Sequence, residues 1–105
     1  MGRTRPHTAT LKEMAKDNPK LRAAVLAEAS ELFLSGDITA AKYMFRDYVN
    51  ATIGFQELGK ETNINPKNLM RMLSEKGNPT ATKLTALLVS LQQHEGIHLE
   101  VRAAG

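Results

Sequence analysis

Asparagine is followed by proline three times in this chain, at Asn18-Pro19, Asn65-Pro66 and Asn78-Pro79, and each time an apolar pattern of helical period begins directly afterwards. The residue before a proline is pushed into extended backbone, which is also what a helix cap needs. Proline itself fits the first helical position, where a missing N–H costs nothing. Three helix starts are thereby specified. The first helix is expected from about Pro19 to Leu34, with Leu21, Val25, Ala29 and Leu32 as its stripe and Ser35-Gly36 as its end. Asp37 can cap a second helix that reaches about Thr52 and buries Ala41, Met44, Phe45, Tyr48 and Val49, and Gly54 marks where it stops. After a loop at Glu75-Lys76-Gly77-Asn78, Leu84, Leu87, Leu88 and Leu91 give a fifth helix the stripe that closes the core.

The segment between the second and fifth helices is the most tightly specified. Phe55 and Leu58 are three apart, and Leu69, Met72 and Leu73 stand at i, i+3 and i+4, so two short helices each carry one apolar stripe. Only a turn fits between them. Asn63 suits the left-handed conformation that ends the first, because an Asn side chain tolerates positive φ better than most. Ile64 then plugs the corner and Asn65 caps the next helix. At about 100° per residue from Leu69, Met72 and Leu73 fall within about 60° of it, while Lys67, Arg71 and Ser74 point roughly the opposite way and Asn68 and Met70 lie on the flanks. This spacing predicts a DNA-reading helix-turn-helix over residues 55–74. Arg or Lys on such a helix can donate to guanine O6 and N7 in the major groove, and Asn can pair with adenine N6 and N7. An i, i+4 Lys/Arg pair by itself is the ordinary solvated face of a helix. The adjoining turn is what moves the reading toward DNA.

A chain of 105 residues, 42% apolar and 24% charged, suits one small domain, expected over residues 18–105 behind a basic, partly mobile arm at 1–17. No apolar stretch reaches the roughly 18 residues of a membrane span, and no apolar segment follows Arg3 and Arg5 as it would in a secretory leader. A cytoplasmic address without a membrane partner is the expectation. The absence of cysteine excludes disulfides and thiolate metal sites. His7, His94 and His98 are scattered, and Gly96 interrupts the helix that would align the last two, so neither metal nor cofactor is expected. There is no Ser/His/Asp arrangement and no glycine-rich phosphate loop, and each carboxylate is explained by a solvated face or a cap. An enzyme is the weakest reading. The net charge of +3 is uneven, with +4 over residues 1–22, −2 over 23–53, +2 over 54–83 and −1 over 84–105. Different faces are therefore suited to different partners.

The tail Ile97-His98-Leu99-Glu100-Val101-Arg102 alternates apolar and polar residues, which is the period of a strand. A lone strand must pair with another chain or with a copy of itself; otherwise the alternation belongs to a frayed tail. Two-fold pairing would give a homodimer suited to a palindromic operator. The expected fold class is all-α, with five helices and this short C-terminal β-strand at 97–102.

The run from Gly54 to Leu91, with its link Lys76-Gly77-Asn78-Pro79-Thr80 into a leucine-striped helix, resembles the lambda-repressor-like (Xre-type) helix-turn-helix regulators. Almost the whole chain is similar to the small family of probable addiction module antidote proteins. It shares their Arg3-Thr4-Arg5 start, two leading helices, the Leu69 to Leu73 spacing and Leu73-Ser74-Glu75-Lys76-Gly77-Asn78-Pro79-Thr80. The resemblance implies an antitoxin that represses its own operon as a dimer and neutralises a toxin resembling ribosome-dependent mRNA endonucleases of the RelE/ParE superfamily. There are departures from the broader family. Phe55 stands where many members carry a phosphate-contacting glutamine, with Gln56 one position later, and Pro66 occupies a position often used to touch bases. DNA contacts arranged differently from those of phage repressors are the expectation.

Two roles then compete or coexist. In the first, Gln56, Lys60, Lys76, Lys83 and the backbone N–H groups near Asn65 hold phosphates of an inverted-repeat operator, while Lys67, Asn68 and Arg71 read base edges. In the second, the helix-turn-helix is mainly scaffold, and the arm with Arg3 and Arg5 acts with the acidic helices carrying Glu28, Glu31, Asp37 and Asp47 to bind a basic, RNA-cleaving toxin. A phage-type repressor without a toxin is a further alternative.

Overall fold

The computed structural model describes residues 13 and 15–105, in which no strand occurs. Arg3, Arg5 and most of the basic arm lie outside the described residues. Five helices run through residues 19–95: α1 (Pro19–Leu34), α2 (Ile38–Ala51), α3 (Phe55–Thr62), α4 (Pro66–Met72) and α5 (Ala81–Glu95). The first two form a hairpin joined by Ser35, Gly36 and Asp37, with Gly36 at φ 91° and the Asp37 carboxylate accepting from Ala40 N–H at 3.2 Å. The Phe33 and Phe45 rings, with centroids 5.4 Å apart and planes inclined by 38°, meet across the hairpin. α3 packs on both α4 and α5, and α5 reaches back to α1, so one core unites all five helices. It is built from Leu26, Ala29, Ala41, Phe45, Tyr48, Val49, Phe55, Leu58, Leu69, Met72, Leu73, Leu87 and Leu91.

Two of the three Asn-Pro pairs act as expected. Asn18 Oδ1 accepts from Leu21 N–H at 3.0 Å and Asn65 Oδ1 from Lys67 N–H at 2.8 Å. The third does not. α5 starts at Ala81, capped by Thr80, whose hydroxyl accepts from Lys83 N–H at 3.2 Å. Thr80 is extended, at φ −74° and ψ 159°, and a β-branched residue with a hydroxyl is better placed as a cap than inside the first turn. The stripe of α1 is wider than the expected one. Ala29 is buried and Val25 and Leu32 pack against the core as expected, but Leu26 and Phe33 join them while Leu21 is only half-buried, because the helix packs on both α2 and α5.

The connection between α3 and α4 has the expected turn. Asn63 sits at φ 59° and ψ 34°, Ile64 N–H bonds to the Gly59 carbonyl at 3.2 Å, and Ile64 packs against the core. Gly59 is what lets this turn close. A Cβ there would lie 2.8 Å from the Ile64 carbonyl oxygen and 2.9 Å from Pro66 Cγ.

The expected C-terminal strand at 97–102 is not formed. Gly96 ends α5 in the left-handed conformation, and Ile97 N–H caps back to the Gln92 carbonyl at 3.0 Å. Leu99 N–H is taken by Gln92 Oε1 at 2.8 Å. The alternation has a different cause: Ile97 and Leu99 both pack against the core while His98 and Glu100 are exposed. The backbone N–H groups a pairing strand would offer at these two residues are already used within the chain. Among the described residues, no helix is long and apolar enough to cross a membrane.

Candidate nucleic-acid interface

α4 is held in place by its inward side and by both of its ends. Leu69 and Met72 enter the core, Asn65 caps the start, and Leu73 at its end is buried. Its opposite side is left to solvent, where Lys67, Asn68 and Arg71 are all exposed. The chain then turns tightly: Ser74 Oγ donates to the Arg71 carbonyl at 2.6 Å and Gly77 N–H to the Ser74 carbonyl at 3.0 Å. Gly77 packs so closely on the Arg71 backbone that a Cβ there would overlap the Arg71 carbonyl oxygen.

This turn folds the end of α4 toward the start of α5 and leaves a concavity of about 470 Å³ between them, whose lining includes Asn68, Arg71, Lys76, Asn78, Thr80 and Lys83. Four of the residues singled out from sequence, Asn68, Arg71, Lys76 and Lys83, are thus brought to one place. Gln56 and Lys60 on α3, and Asn65 and Lys67 at the start of α4, are exposed but lie outside that concavity. The Asn65 side-chain oxygen is committed to its capping bond. None of Lys60, Lys67, Arg71, Lys76 and Lys83 is ion-paired among the described residues. A cavity wall with three unneutralised cations and several neutral amide and hydroxyl groups is suited to a polyanion.

A larger cleft, of about 590 Å³, is lined by Ala15, Lys16, Arg22, Thr52, His94 and Glu95 among others, and its chemistry is different. Its strongest charges answer each other. Arg22 Nε contacts Glu95 at 2.9 Å and 3.2 Å, Arg22 Nη1 donates to the carbonyls of Ala15 at 2.6 Å and Lys16 at 3.1 Å, and Tyr48 Oη donates to Glu95 Oε1. Burial pushes the Tyr48 hydroxyl well above its ordinary pKa. The hydrogen bond to Glu95 and that residue's charge push the same way, against a smaller opposing pull from Arg22. This cluster fastens α1, α2 and α5 together.

The α1–α2 hairpin presents a third kind of surface. Glu28 and Glu31 are exposed one turn apart on α1, followed on the same row by Leu34, which is 68% exposed. Asp37 is exposed too, with one oxygen engaged as the cap of α2. Asp47 is half-buried.

The sequence reading missed Thr80 and Asn78 as walls of the concavity, and it missed Lys42. That lysine is 5% exposed, at a position where the apolar spacing of α2 gives no sign of burial. Its ammonium donates to the carbonyls of Glu75 at 3.1 Å and Gly77 at 2.7 Å. No period of apolar residues encodes such a contact, because the acceptors are backbone atoms more than thirty residues away.

No family model, curated protein or solved structure matches this chain.

Proposed function

We propose that this protein is a sequence-specific DNA-binding repressor of the antitoxin type. The observation that carries the DNA half is the concavity between α4 and α5, where Asn68, Arg71, Lys76 and Lys83 converge with no acidic partner beside an exposed helix face bearing Lys67. In this reading α3 and α4 act as a helix-turn-helix. Lys67, Asn68 and Arg71 meet base edges in the major groove, and Lys76, Lys83, Lys60 and Gln56 hold the phosphates on either side. A dimer would set two such helices one turn of DNA apart, about 34 Å, over an inverted repeat.

The antitoxin half rests on the resemblance of the sequence and on the row of Glu28, Glu31 and Leu34. An acidic and apolar strip on a helical hairpin suits a basic partner that itself holds RNA phosphates. The same strip supports the second reading, in which toxin neutralisation is the main role and the α3–α4 unit serves as scaffold.

The test is a gel shift with the DNA upstream of the protein's own gene, with and without the product of the neighbouring gene. Retardation of that duplex but not of a scrambled one supports the repressor. No retardation in either condition leaves the scaffold reading. The variant Arg71→Ala should lose about 1 to 3 kcal/mol and relax specificity at one base position. An equal loss on every sequence would make Arg71 a phosphate contact instead.

A further inference from the structure

The loop between α4 and α5 carries Lys76 into the concavity, and such a loop has little of its own to hold it. Beyond the buried Leu73 that anchors its start, its one apolar side chain is Pro79, and its one internal backbone hydrogen bond runs from Gly77 to Ser74. Its fixity comes from elsewhere. Lys42 extends from α2 and is itself buried, and its ammonium bonds the carbonyls of Glu75 and Gly77. These two carbonyls flank Lys76. The carbonyls of the residue before an exposed cation and of the residue after it are therefore held by one buried cation from another helix.

A buried ammonium needs partners, and loop carbonyls that lose theirs would swing toward water. The arrangement is thus mutually dependent. We propose that Lys42 is the positioning residue of this interface: its bonds to the carbonyls on either side of Lys76 fix the direction in which Lys76 meets the phosphate backbone. This rests on the DNA-binding reading above. It assigns to a residue that touches no nucleic acid a share of the affinity.

The experiment compares wild type, Lys42→Met, Lys76→Ala and the double variant. Each full-length protein is bound to a labelled duplex from the region upstream of its gene, and to a scrambled duplex of equal length, across a salt series. Lys42→Met keeps the apolar stem and removes the donor. If Lys42 works through Lys76, each single variant weakens binding about three- to tenfold on both duplexes and lowers the salt slope by about one. The double variant is then no weaker than Lys76→Ala alone. Losses that multiply in the double variant overturn the proposal. Amide exchange in the free protein separates this from a failure of the DNA reading. In Lys42→Met the Gly77 N–H should exchange faster while Leu87 and Leu91 in α5 keep wild-type rates, and an unchanged Gly77 overturns the tether whether or not DNA binds. If Lys42→Met fails to fold, Lys42→Leu, which likewise removes the donor and keeps an apolar stem, takes its place in both measurements.

Discussion

Gly59 decides how closely α3 and α4 can approach, and it does so against the usual preference of a helix. In an exposed helix interior, replacing glycine with alanine stabilises by up to about 1 kcal/mol. Here the added methyl would meet the Ile64 carbonyl at 2.8 Å and the Pro66 ring at 2.9 Å, both in the turn that aims α4. Overpacking of this kind costs about 1 to 3 kcal/mol. Gly59→Ala is therefore expected to lower the urea midpoint with the slope unchanged, and a raised midpoint would mean the turn gives way easily. Asn63 and Asn65 were legible in the sequence because their roles depend on their own backbone and the next few residues. Gly59 and Lys42 were not, since each is defined by atoms that only the folded chain brings near.

At the scale of the helices, the same contrast explains which boundaries could be read. α1, α2 and α4 begin where the Asx or Asn-Pro signals stand, because nothing in the fold competes with those caps. At the start of α5 two signals compete. Asn78-Pro79 offers one cap and Thr80 another, and the loop held by Lys42 leads into the second. Thr80→Ala should then cost about 0.5 to 2 kcal/mol in chemical denaturation, whereas Asn78→Ala should stay within about 0.5 kcal/mol of wild type. The opposite order would place the working cap at Asn78. The tail was misread for a related reason. Period-two alternation reports that one side of a segment is buried, and Ile97 and Leu99 achieve that by lying on their own core, with Gln92 using the N–H that a neighbouring strand would need.

Across the whole molecule, α1, α2 and α5 are joined through one buried carboxylate. Glu95, at the end of α5, accepts from Arg22 on α1 and from Tyr48 on α2, while Arg22 also holds the carbonyls of Ala15 and Lys16. The three-helix junction has a pH signature with a definite sign. Because burial and the Glu95 carboxylate hold the Tyr48 hydroxyl above its ordinary pKa, the native state retains that proton after the unfolded chain has released its own. The stabilisation is complete below about pH 10 and is lost as the pH rises further, at up to about 1.4 kcal/mol per pH unit for this one group. Tyr48→Phe removes the donor to Glu95 and the titration together. At about pH 8 the variant should be less stable than wild type by about 1 to 2 kcal/mol, measured by urea unfolding. Towards about pH 11 the gap should narrow, since only wild type has a tyrosine at this position to deprotonate on unfolding. The other titrating groups are common to both proteins, so the difference between the two curves isolates Tyr48. A gap that stays constant across that range would mean the hydroxyl is not held by the junction, and that Arg22 is the only side chain there that Glu95 engages.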